Sequence, residues 1–83
     1  THMPTLFILF GLRFFFYSND HEPIHVHVSG RKGKGERQAK FQVIPTVELI
    51  ENDGLKLQEL RLAESVIEEN KEIIIERWKE FFE

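Results

Sequence analysis

The 83-residue chain has no cysteine, which removes disulfides, thiolate metal sites and a cysteine nucleophile from consideration and suits a reducing compartment. It also lacks a long hydrophobic run. The longest, Leu6 to Phe16, is interrupted by Gly11 and Arg13 and falls short of the ~20 residues a membrane helix needs. No signal peptide, internal repeat or low-complexity tract is visible, so the expectation is a soluble, cytoplasmic chain with no membrane contact. Thr1 and His2 read as a vector-derived scar ahead of Met3, which takes His2 out of any site argument. Residues 3–83 then form a single small domain, with sheet expected over 3–45 and helix over 55–83. A domain this small buries roughly 60% of its unfolded surface, so association with a partner or a second copy would add stability.

Cationic charge is scarce in the back half. Residues 1–45 carry six Lys or Arg against three acids, whereas residues 46–83 carry five against eleven, giving about +3 and -6. That polarity suits an anion-binding front with a solvated rear, or two protomers or partners meeting through opposite fields.

What is abundant is apolar sequence with two different periods. "PTLFILFGLRFFFYS" reads as a strand, a tight bend at Gly11 and a second strand. "NDHEP" makes a turn, "IHVHV" a third strand, "SGRKGKGERQ" a glycine-rich cationic loop or hairpin tip, and "AKFQVI" a strand that stops at Pro45. "TVELIENDG" reads as a connector holding a short strand or turn. From Leu55 the period becomes 3.6: Leu60, Ala63, Ile67, Ile74, Trp78 and Phe81 lie on one stripe. Asn70 lies close to that stripe. It either breaks the helix, as a left-handed C-terminal residue or as the cap of "KEIIIERWKEFF", or sits as a polar residue within one long helix. The expected fold class is α+β: a small, mostly antiparallel sheet of three to five N-terminal strands packed against a C-terminal helix or two-helix hairpin.

On a strand, His25 and His27 share one face while Ile24, Val26 and Val28 share the other. Two imidazoles at i and i+2, roughly 7 Å apart at the backbone, can converge on one ion. His21 could supply a third nitrogen, and Asp20, Glu22 or Glu36 an oxygen, for Zn or another divalent transition metal. Without any cofactor, His21, His25 and His27 could instead serve as general acid and base on a phosphodiester, as in metal-independent ribonucleases. Arg13 would then pair the phosphate, and Arg31, Lys32, Lys34 and Arg37 would form a cationic clamp. The bland alternative has the three histidines hydrogen-bonding locally and packing on Phe14, Phe15, Phe16 and Tyr17, with the basic loop a solvated hairpin tip. DNA recognition is disfavoured, because eight acids between Glu59 and Glu83 face four Lys or Arg there. Trp78, Phe81 and Phe82 are candidates for core or for an interface, including a homodimer contact.

The stretches "GLRFFFYSNDHEPIHVHV", "AKFQVIPTVEL" and "ELRLAESVIEENKEIIIERWKEFF" resemble the bacterial domain-of-unknown-function family 4160 across essentially the whole chain. Asp20, His21, Pro23, His25 and His27 match its Asp-His-x-Pro-x-His-x-His signature, with Ile24 where a second proline is common. The resemblance brings no established activity. It implies a small cytoplasmic protein, encoded beside another short protein in an arrangement like a toxin-antitoxin module and acting through that partner, with RNA-directed activity as one role. The loop from Gly30 to Arg37 is longer and more basic than the family pattern.

Overall fold

The computed structural model describes residues 5–30 and 37–83. Five strands come first, β1 (Thr5–Leu9), β2 (Leu12–Phe15), β3 (His25–Gly30), β4 (Gln38–Gln42) and β5 (Glu48–Asp53), followed by α1 (Leu57–Glu69) and α2 (Lys71–Phe82). The strands form one open sheet in chain order, and every neighbouring pair is antiparallel. This is the expected α+β architecture, and the sheet contains five strands.

β1 and β2 are joined by Phe10 and Gly11, with φ of 55° and 79°. Two successive positive φ values match the twist of a tight two-residue hairpin, and Gly11 meets that demand without a Cβ clash. Phe10 meets it while 72% exposed.

One face of the sheet builds the core. Leu12, Phe14, Val26, Val28, Ala39 and Phe41 point to the helices, which close over them with Ala63, Val66, Ile67, Ile74 and Trp78. Each Leu, Ile, Val or Phe among them contributes roughly 1.5–3 kcal/mol on burial, so this face supplies most of the fold's driving force. Trp78 is only 1% exposed and meets Phe16 edge-on at 5.2 Å. It is a core residue. Phe82 packs on Trp78 at 4.3 Å between ring centroids, while Phe81 stays 39% exposed.

Two expectations need correction. The sheet does not end at Pro45, because the expected connector is the six-residue strand β5, paired to β4 with a register shift between Lys40 and Phe41. All six of its residues are exposed, so no buried face imposed a period of two on them. The helical region does break at Asn70, and not through a left-handed residue: Asn70 has φ -113° and ψ 20°. It occupies the N-cap position of α2, one of the expected alternatives, but without a side-chain cap bond. Its Nδ2 donates to the Val66 carbonyl at 2.8 Å, and its own carbonyl accepts from the Ile74 N–H at 3.0 Å. The break is thus held by an i−4 side-chain bond that takes up one of the last carbonyls of α1.

Among the described residues, no helix is long and apolar enough to cross a membrane.

Candidate metal centre

The second face of the sheet carries the histidines. In the antiparallel register His27 lies between Phe15 of β2 and Lys40 of β4, and His25 lies opposite Gln42. Both imidazoles are buried, at 6% and 8% exposure. Aromatic neighbours from β2, the turn after it and α2 shield them. His27 stacks on Phe15 at 5.5 Å and meets Tyr17 edge-on at 4.6 Å, and His25 touches His27 at 5.1 Å and Trp78 at 5.3 Å.

The turn after β2 brings a carboxylate to the same place. Asp20 folds back on Tyr17: its N–H donates to the Tyr17 carbonyl at 3.1 Å, and its Oδ2 accepts the Tyr17 N–H at 2.9 Å. This local loop is what Asp does in turns, and here it aims the carboxylate at β3. Oδ1 lies 3.2 Å from His25 Nε2, and Oδ2 lies 3.1 Å from His27 Nε2. The donor atoms of Asp20, His25 and His27 all lie within 4.8 Å of one another.

Protonation follows from these contacts. Burial by itself raises the Asp20 carboxyl, but the Tyr17 N–H and the two imidazoles outweigh it and hold Asp20 below the ordinary aspartate value. Burial lowers His27 below the ordinary histidine value; Asp20 opposes that without cancelling it, and His25 and Lys40 push it further down. An ionised Asp20 accepting from a neutral His27 satisfies both directions. His25 is the telling member. Its Nδ1 lies 2.9 Å from the Pro23 carbonyl, which can only accept, so Nδ1 carries the proton and in the neutral ring Nε2 carries a lone pair. That buried Nε2 has no hydrogen bond. Its 3.2 Å approach to Asp20 has the distance of an ion pair without the alignment of a hydrogen bond, and alignment decides. In the neutral ring this places a lone pair against a carboxylate inside the protein, an arrangement that a cation between them, either a metal ion or a proton on Nε2, relieves.

The donors suit such a cation. Four-coordinate Zn with bonds of about 2.0–2.1 Å keeps its ligand atoms roughly 3.3 Å apart, close to the two Asp20 separations above. The Pro23 carbonyl on His25 Nδ1 and the Tyr17 N–H on Asp20 are the outer contacts that orient metal ligands. Two imidazoles and one carboxylate leave coordination positions open, the donor set of a reactive or exchangeable site more than a structural one.

Other candidates fall elsewhere. His21 is exposed and outside the cluster; it lines a cleft of about 270 Å³ with Asp20, His25 and Lys40. Asp20, one of several oxygen donors considered from sequence, completes the group that His21 was expected to complete. Arg13 sits two positions along β2, its Nε donating to Ser29 Oγ at 3.5 Å and its guanidinium 4.3 Å over the Phe15 ring. Arg37, expected in the cationic clamp, grips Glu59 with both terminal nitrogens at 2.8 and 3.2 Å and so ties the start of β4 to α1. Arg31, Lys32 and Lys34 lie outside the described residues. Lys40 and Tyr17 were not singled out as site residues, yet both line a cleft of about 430 Å³ with His27. The signal for Lys40 is the alternation of "QAKFQ", which places it on the face opposite Ala39 and Phe41.

A profile described as a domain of unknown function (DUF4160) matches residues 11–79, from the first hairpin into α2. The chain belongs to the DUF4160 family. No curated protein and no solved structure matches it. The cluster Asp20, His25 and His27 falls wholly inside the DUF4160 segment.

Proposed function

We propose that this DUF4160 protein binds a divalent transition-metal ion through Asp20, His25 and His27. The observation that carries the reading is His25 Nε2, buried, without a hydrogen bond and 3.2 Å from an Asp20 carboxylate oxygen. Zn, or another ion that accepts nitrogen and oxygen donors, fits the set. The test is metal analysis of the untagged protein, with melting measured on adding Zn, Ni or Mn. An ion at about 100 times its dissociation constant adds about 2.7 kcal/mol, which in a domain of this size raises the melting temperature by roughly 10–20 °C. His25→Ala and His27→Ala lose that rise. A native protein with no stoichiometric ion and no shift would dispose of the reading.

A second reading needs no ion and is favoured by Lys40, the cross-strand partner of His27. A neutral His27 beside a cation has the elements of acid–base chemistry on a phosphodiester. In that reading the protein is the cytoplasmic, RNA-directed component of a toxin-antitoxin-like pair and acts through a small partner protein, as the family resemblance implies. Induced expression should then arrest growth and degrade RNA, in a manner lost with His27→Ala. Harmless expression with intact RNA counts against catalysis, and co-expression with the neighbouring gene product that yields no complex on size exclusion counts against the module.

A further inference from the structure

Two clefts flank the Asp20, His25 and His27 cluster, and Lys40 lines both. The larger has His27 and Ala39 among its lining residues, with Glu51 and Asp53 beside them; the smaller contains Asp20 and His25. His27 and Ala39 are buried, whereas Glu51 and Asp53 are exposed, so the acids stand at the rim and the imidazole lies deep. Lys40 is half-buried between them, directly across from His27 in the sheet. It also stands directly across from Glu51, yet the two do not form an ion pair within 4.0 Å among the contacts described.

Building on the metal reading, we propose that Lys40 makes this an anion-accepting centre: the bound ion takes a carboxylate or phosphate oxygen of a small ligand as a further donor, and the Lys40 ammonium pairs that same oxyanion. Three facts converge. Asp20, His25 and His27 supply three donors, which leaves an ion with positions for exogenous oxygen. One carboxylate against a divalent ion leaves a net positive charge at the floor of the cleft, to which Lys40 adds another. The rim acids Glu51 and Asp53 offer acceptors for hydroxyl or amine groups carried by the rest of the ligand. The class is therefore a small oxyanion that also carries hydrogen-bond donors, and Lys40 sets the specificity without itself binding the metal.

The test uses the full chain loaded with Co(II), whose visible absorption reports coordination, titrated separately with inorganic phosphate and with acetate. At least one anion should perturb the spectrum at millimolar concentration. Lys40→Gln should weaken that anion by at least about tenfold, the worth of a charge-assisted hydrogen bond, while Co(II) still binds. Lys40→Arg should retain binding, which separates charge from damage to β4. The stronger of the two anions identifies the phosphate or carboxylate class. A loaded protein whose spectrum ignores both anions, or a Lys40→Gln variant that binds them as tightly as the native chain, overturns the inference while the metal site stands. Failure to bind Co(II) at all would instead sink the metal reading and this inference with it.

Discussion

The two faces of the sheet bury their residues by different means. On the helix-covered face, side chains are aliphatic or aromatic and the helices exclude water: Phe14, Val26, Val28, Ile67 and Ile74 are fully buried there. On the other face Phe15 is equally buried, yet its companions are Tyr17, His25 and His27, held by ring contacts and by one carboxylate from a turn. The first face is governed by volume. The second is governed by charge and lone pairs, and it retains a buried nitrogen that the chain leaves without a hydrogen bond. A fold that gains its stability from one face can keep an electrostatically unsatisfied cluster on the other.

This contrast breaks most visibly at Trp78. Trp78→Ala should cost about 3–5 kcal/mol, most of what a domain of this size holds, and urea denaturation reads it as a collapse of the unfolding midpoint. Asp20→Asn should behave in the opposite way. The amide keeps an acceptor for the Tyr17 N–H and can donate to His25 Nε2, so metal-free stability moves by less than about 1 kcal/mol, yet the metal-induced rise in melting temperature disappears. Paired melting curves with and without Zn check both halves. If Asp20→Asn were as damaging as Trp78→Ala, the second face would be structural after all.

Much of this division is legible in the sequence, because alternation and helical period are local. The hairpin at Gly11 and the shared face of His25 and His27 follow from residue spacing, while for Asn70 the spacing marks the position and leaves open whether the helix breaks there. What is not legible depends on register. Lys40 becomes a neighbour of His27 only through the β3–β4 pairing, and Asp20 reaches the histidines only because the Tyr17 turn folds back. The pairing of Arg37 is not legible either, because its partner, Glu59, lies 22 positions away, beyond any local pattern. β5 is legible only as a short strand or turn within a connector, because an exposed edge strand has no buried face to announce its full length.

Smaller effects sharpen the comparison at its margins. Glu59 accepts from Arg37 and from the Lys56 N–H, contacts that hold its carboxyl below the ordinary value of 4.5. A lowered folded value means a contribution present above pH 4.5 and lost as pH falls below it. The gap in urea midpoint between the native chain and Glu59→Gln should therefore close on acidification. Its size at neutral pH should be below about 1 kcal/mol, since the pair is partly solvated. Arg13→Ala should matter least, by no more than about 0.5 kcal/mol, because its bond to Ser29 is long and it reaches the cluster only through the Phe15 ring. Equilibrium unfolding of that variant, together with its unaltered metal content, completes the series.

Trp78 stands where the two faces meet, its indole against Phe16 on one side and His25 on the other. It is the chain's single tryptophan. Its fluorescence is therefore a built-in gauge of the histidine cluster: an ion that withdraws the His25 lone pair, or a proton that charges the ring, alters the emission of an indole 5.3 Å away. Occupancy of the site can be followed optically, without a label, in the unmodified protein.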